Sequence, residues 1–213
     1  MIHQIFINLG KGELRDIPDY YESYNETLDY CVKNNIEHKL WSSNDIIELL
    51  NDYPEYKEIY SNFRYDIQRI DFARLLILYD RGGLYLDLDV KPVPNATISS
   101  CFENDFFIAR WWNNHLPYNA IIACHKKSQL MYECIQEVIR SYYEKSKMEI
   151  YNVRKARFIF QTTGHYALHR VLKNKITYSP VVSVFNDKKK INEISGQPLF
   201  TDLSSSVWYE DFE

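Results

Sequence analysis

Arg69 to Val93 runs RIDFARLLILYDRGGLYLDLDVKPV. With the residues before it, the pattern predicts a helix over Asp66 to Asp80, carrying apolar Ile67, Ile70, Leu75, Ile77 and Leu78. Gly82 stands where a left-handed residue ends such a helix. Leu84 to Val90 then reads as a strand, stopped by Pro92 and Pro94. Side chains two apart on a strand point the same way, so Asp87 and Asp89 are expected on one side. Two carboxylates held together near a core repel each other and lose hydration, which calls for a compensating positive charge.

Hard carboxylate oxygens suit Mg²⁺ or Mn²⁺, which keep waters and complete their shell with phosphate oxygens. In open α/β sheets ligands sit beyond the carboxyl ends of the strands, which is where this pair falls. The plainer reading is a strand end whose acids face water. Asp71 and Arg74 are three residues apart and share a helix face. They read either as a structural ion pair or as an acid and a base reaching one polar ligand.

Taken together, R-x-D-x-x-R-x(7)-GG-x-Y-x-D-x-D resembles the donor-binding core of retaining GT-A glycosyltransferases with a DXD motif. The likeness is to family 32, with its capsular-type sugar transferases, and to the glucosylating clostridial toxins. The opening IHQIFIN is similar to the first strand of that group. The resemblance implies an α/β fold of the GT-A type, with a mostly parallel mixed sheet flanked by helices. It implies that Phe6, Ile7 and Asn8 line the base pocket, and that Asp71 and Arg74 hold donor sugar hydroxyls. Tyr85 is then expected on the ribose or phosphate side, and Asn119 against the transferred sugar. Asp89 would ligate Mn²⁺ (or Mg²⁺) directly and Asp87 through water while contacting ribose. The tail Ser206-Val207-Trp208 is similar to the S-x-W of the toxins, where Ser helps bind metal and Trp covers the diphosphate. Leu203 departs from that pattern, so Ser206, Asp202 or a water all serve as the last ligand.

The rest of the chain supports one domain over residues 1–213, or one domain of a longer protein. Length alone allows a globule that buries roughly 70% of its unfolded surface. Net charge is −4, and Lys188 to Lys190 is the one dense basic run, which argues against nucleic acid as a partner. Cys31, Cys101, Cys124 and Cys134 show neither metal-ligand nor disulfide-scaffold spacing. MIHQIFINLG lacks a basic n-region and a cleavage site and reads as a buried strand over Ile2 to Asn8. No window approaches the ~20 apolar residues of a membrane span. The expectation is a soluble, cytoplasmic enzyme, with a virus-encoded one as an option.

Further elements are expected as helices over Asp19 to Asn34, Asp45 to Leu50 (capped by Ser42, Ser43 and Asn44) and Glu55 to Phe63, and strands over Ile36 to Trp41, Phe106 to Trp111 and Ala120 to Cys124. Ser128 is placed to cap a helix over Gln129 to Lys145. Phe158 to Gln161 reads as a strand, Tyr166 to Leu172 as a helix, Thr177 to Phe185 as β-rich and the tail from Lys188 as irregular. His165 and His169 have i,i+4 spacing but no accompanying acid, and read as surface or acceptor-side groups. His3 reads as a core histidine; Trp41, Trp111 and Trp112 suit stacking or packing equally.

The function expected is metal-dependent transfer of a sugar from a UDP-sugar, by default UDP-glucose, to a hydroxyl of a glycan or glycoprotein acceptor, with GDP-mannose as the alternative donor. Arg74, Asp87 and Asp89 would act at the departing diphosphate. A haloacid-dehalogenase-type phosphatase is disfavoured because Lys91 stands where that motif needs Thr or Val. A sugar-nucleotide-binding module without turnover is the non-enzymatic rival.

Overall fold

The computed structural model describes residues 1–110, 116–146, 155–175, 181–186, 189–194 and 197–203. The chain opens with β1 (Ile2–Ile5), α1 (Pro18–Lys33), β2 (His38–Trp41), α2 (Ser43–Asn51), α3 (Lys57–Asn62) and α4 (Asp66–Arg81). It continues with β3 (Gly83–Leu86), β4 (Val90–Pro92), β5 (Phe106–Arg110), β6 (Pro117–Cys124), α5 (Gln129–Ser146), α6 (Lys155–Thr162) and α7 (His165–Leu172). It closes with β7 (Val181–Asn186), β8 (Lys189–Ile194) and β9 (Gln197–Asp202).

Five strands form the main sheet in the order β2-β1-β3-β6-β5. β1 pairs in parallel with both β2 and β3, and β6 pairs antiparallel with β3 and β5. A second, antiparallel sheet runs β4-β9-β8-β7. The mixed α/β sheet expected from the sequence is present.

α4 is the central helix. Phe72 and Leu75 to Leu78 are all at most 1% exposed, each burial favouring the fold by about 1.5–3 kcal/mol. The helix ends at Gly82, whose φ of +68° and ψ of −165° suit only glycine. A Cβ there would lie 2.6 Å from the backbone nitrogen of Lys126. This tight exit feeds α4 directly into β3. α2 begins where its cap was expected, with Ser42 and Asp45 bonded reciprocally.

The structure departs from the expectations in four segments. The strand read over Leu84 to Val90 breaks after Leu86, because residues 87–90 form a turn closed by Val90 N–H on Asp87 C=O at 3.0 Å. The chain there leaves one sheet for the other. Phe158 to Gln161 lies in helix α6, where Phe158, Ile159 and Thr162 bury one face at helical spacing. Within the tail from Lys188, the described residues are not irregular: β8 and β9 pair with each other and with β7 and β4. Their polar composition hid them, since strand formation follows pairing partners more than local propensity. The segment expected over Glu55 to Phe63 starts as a 3₁₀ turn, Pro54–Tyr56, before α3.

His3 is the core histidine expected. Trp41 Nε1–H donates to its Nδ1 at 3.1 Å, so Nε2 carries the proton and donates to Gly82 C=O at 2.9 Å. Burial pushes its pKa down to about 4. The folded pKa lies below the unfolded one near 6.5, so the unfolded chain binds more protons between these values. Stability from this group is therefore complete above about pH 6.5 and is lost as pH falls toward 4. Melting followed from pH 7.5 to 4.5 is expected to fall more steeply for the wild type than for His3→Gln. Equal slopes would contradict this assignment.

Candidate functional site

The site is built where β1 and β3 end side by side. Asp87 N–H makes the last ladder bond of β3, to Ala120 C=O at 2.9 Å. Asp87, Leu88 and Asp89 then form the turn to β4, with Leu88 buried and both acids partly exposed. The carboxylates are thus presented by a turn and not by a strand face. Three elements fasten that turn. Gln4 of β1, fully buried, lies 3.4 Å by its Nε2 from Asp87 C=O. Leu203 N–H, leaving β9, donates to Asp89 C=O at 2.8 Å. Lys91 of β4 bridges to Glu22 and Glu26 of α1 at 2.7 and 2.6 Å.

Arg74 lies at the centre. Its side chain is 3% exposed. Nη1 donates to Asn119 C=O at 2.7 Å and pairs with Asp87 Oδ1 at 3.0 Å, while Nη2 pairs with Asp71 Oδ1 at 3.0 Å. The guanidinium also sits 4.8 Å from the Tyr85 ring centroid, and Tyr85 donates its hydroxyl to Asp87 Oδ1 at 2.7 Å. Arg74 Nε is buried without a hydrogen-bond partner. Asn119 Nδ2–H donates to Asp71 Oδ1 at 3.1 Å. Burial pushes the Asp71 carboxyl up to about 6, with Arg74, Thr163 and Asn119 pulling it back and Asp87 adding to the rise. Burial raises the Tyr85 hydroxyl well above its ordinary range, and the two neighbouring acids reinforce this.

A small cleft opens in front of this network. It joins Phe6 and Ile7, just past β1, to Arg74, Tyr85, Asp87 and Asp89. Tyr20 of α1 and Ile67 and Ile70 of α4 form other parts of its wall. Of the residues singled out from the sequence, Asp71, Arg74, Tyr85, Asp87 and Asn119 are therefore brought into one hydrogen-bonded cluster. Phe6, Ile7 and Asp89 line the cleft beside them. Asn8 is exposed and caps its own loop, accepting from Gly10 N–H at 2.8 Å. Ser206, Trp208, Trp111 and Trp112 lie outside the described residues. Asp202 is fully buried and accepts the Tyr118 hydroxyl.

Sequence reading missed Gln4, Tyr20 and Thr163, the last of which donates to Asp71 Oδ2 at 2.8 Å. Gln4 had a weak signal, a polar group inside an apolar strand. His165 packs on Phe160 and Tyr166, with ring centroids 4.5 and 4.4 Å away, and burial holds it near pKa 4. Trp41 is packed, not a stacking platform, at 3% exposure.

Residues 15–107 match the family described as glycosyltransferase sugar-binding region containing DXD motif. An uncharacterized glycosyltransferase of Acanthamoeba polyphaga mimivirus is 36% identical over 94 residues, 42% of this chain and 35% of that protein. Inositol phosphoceramide mannosyltransferase 1 of Schizosaccharomyces pombe is 32% identical over 128 residues, 51% of this chain and 37% of that protein. The chain thus spans little more than a third of the length of these relatives. Among solved structures, the PaToxG glycosyltransferase superposes with a TM-score of 0.55 at 16% identity, covering 82% of this chain and 68% of that one. The fold is that of the GT-A glycosyltransferases, and the resemblance read in Arg69 to Asp89 falls inside the matched region. Among the described residues no helix is long and apolar enough to cross a membrane.

Proposed function

We propose that this chain, which carries a DXD sugar-binding region on a GT-A fold, transfers a hexose from a nucleoside diphosphate sugar to an acceptor hydroxyl in a metal-dependent, retaining reaction. The observation that supports this most is the single network in which Arg74 bonds Asp71, Asp87 and Asn119 behind the cleft. A purely structural ion pair would need one acid. Here one guanidinium joins two acids and a backbone carbonyl beside a third acid, Asp89.

Asp87 and Asp89, both lining the cleft, offer hard carboxylate oxygens of the kind a divalent cation takes. Mn²⁺ or Mg²⁺ held by Asp89, by Asp87 through water and by Ser206 would supply Lewis-acid neutralisation of the leaving diphosphate. Among the described residues no cluster of three or more His, Cys, Asp or Glu could hold a metal ion. Two carboxylates nonetheless fit a cation that takes its other oxygens from water and phosphate.

The chain's own residues do the rest. Phe6 and Ile7, which line the cleft, receive the base. Asp71 and Asn119 orient the sugar, and the buried Arg74 adds fixed positive charge near the departing oxygen. The bond from the anomeric carbon to the diphosphate oxygen breaks as the bond to the acceptor oxygen forms. The acceptor's proton passes to the leaving diphosphate, so no side-chain nucleophile is invoked.

The S-x-W tail favours a UDP-sugar, with UDP-glucose as the default. A second donor, GDP-mannose, is favoured by the mannosyltransferase name of the fission-yeast relative. Incubating the chain with UDP-glucose or GDP-mannose, in Mn²⁺ or in EDTA, and measuring free nucleoside diphosphate separates them. Manganese-dependent release from one donor is expected. Release from neither, together with no nucleotide binding, would leave the reading without support.

A further inference from the structure

Thr163 stands one residue beyond α6 and is 1% exposed. Its Oγ1 lies 2.8 Å from Asp71 Oδ2 and 3.4 Å from Ile159 C=O. A hydroxyl has one proton to give, and the closer, charged acceptor takes it. Arg74 and Asn119 both approach the opposite oxygen, Oδ1, at 3.0 and 3.1 Å. Donors on one oxygen alone leave a carboxylate able to swing about its Cβ–Cγ bond, whose torsion is broad for Asp. A donor on the other oxygen fixes its plane.

The adjacent threonine does a separate job. Thr162 Oγ1 donates to Phe158 C=O at 2.8 Å and accepts from Gln68 Nε2–H at 2.8 Å. Gln68 in turn accepts from the Arg64 and Tyr65 N–H groups at 3.2 and 3.3 Å, at the start of α4. The end of α6 is therefore fastened to α4 through Thr162, which leaves the Thr163 hydroxyl free for Asp71.

We propose that Thr163 is a positioning residue for sugar transfer, fixing the Asp71 carboxylate so that it holds Arg74 and Asn119 in the geometry that receives the donor sugar. This rests on the function proposed above. Thr163 touches neither the cleft nor Asp87, so the nucleotide and its diphosphate are held without it. Its loss is felt at the sugar.

The test compares Thr163→Val, which keeps the shape, with Thr163→Ser, which keeps the hydroxyl. Each is measured in Mn²⁺ for affinity toward UDP and GDP and for release of nucleoside diphosphate from UDP-glucose and GDP-mannose. For Thr163→Val, release is expected to fall about 10–100-fold, as for other partners that orient a ligand-contacting side chain. Nucleotide Kd is expected to stay within about twofold of wild type, the signature of an interaction made with the sugar alone. Thr163→Ser is expected to recover most of the rate. Wild-type turnover in Thr163→Val would overturn the assignment. So would a parallel loss of nucleotide affinity and turnover that Ser does not restore, which marks Thr163 as an anchor of α6 only. A wild-type chain that neither binds nucleotide nor releases it defeats the functional reading itself, an outcome visible before any variant is made.

Discussion

Asp89→Asn is expected to lower manganese-dependent release of nucleoside diphosphate from the sugar donor by about 10²–10³-fold, the usual cost of removing one charge-stabilising group from a transition state. Asn keeps the size of the side chain and one acceptor oxygen but removes the negative charge that binds a hard cation. Asp89 lies in the turn between β3 and β4 and is partly exposed, and that turn is held by backbone bonds from Val90 to Asp87 and from Leu203 to Asp89. None of these bonds involves its carboxylate. The manganese-dependent response of the variant's melting to nucleotide is expected to disappear, read against its own melting temperature without ligand. Retained turnover in Mn²⁺ would remove Asp89 from the metal site.

The second large effect is on stability. Arg74→Ala leaves Asp71, 4% exposed, and one oxygen of Asp87 without the guanidinium that lies 3.0 Å from each. Breaking a buried ion pair by removing one partner costs about 3–5 kcal/mol. At about 2–4 °C per kcal/mol for a chain of this size, the melting temperature is expected to fall by roughly 6–20 °C. Activity should be lost as well, since Asn119 loses the bond to its carbonyl. Asp71 already sits near pKa 6 with Arg74 in place, so without it the carboxyl is driven further up and takes a proton near neutral pH. Adding Asp71→Asn to Arg74→Ala removes the stranded acid and is expected to recover part of the lost stability. Differential scanning calorimetry of the two singles and the double closes this cycle. Additive losses would show that Asp71 and Arg74 are not coupled.

Much of this site was legible in the sequence because its information is local. The i,i+3 spacing of Asp71 and Arg74 and the glycine exit lie within one helix and the turn that ends it, and each has a geometric consequence that needs no partner. The two aspartates could be picked out as a pair, but their expected place on one strand face was wrong, since they stand on the turn after Leu86. What escaped was set at long range. The break after Leu86 depends on β4 finding β9, more than a hundred residues later, and β9 is too polar to announce itself. The apolar run at Phe158 fits a short strand as well as a helix; the helix is chosen by its face against the core, seen in Phe158 and Ile159 at 3% and 1% exposure. Thr163 carried no signal, since a threonine after a helix is ordinary and its value comes only from Asp71, 92 residues away. Gln4 is similar: a glutamine in a first strand says little until His38 and the Asp87 carbonyl are found at its two ends, at 3.0 and 3.4 Å.

The measurement that bears most directly on the account is thermal melting of the wild-type chain with UDP or GDP, each in Mn²⁺ and in EDTA. A ligand at about 100 times its Kd stabilises a fold by about 2.7 kcal/mol, which for this size raises the melting temperature by several degrees. Such a rise is expected with one of the two nucleotides in Mn²⁺, and its loss in EDTA. Melting that is unmoved by either nucleotide in Mn²⁺ would contradict it.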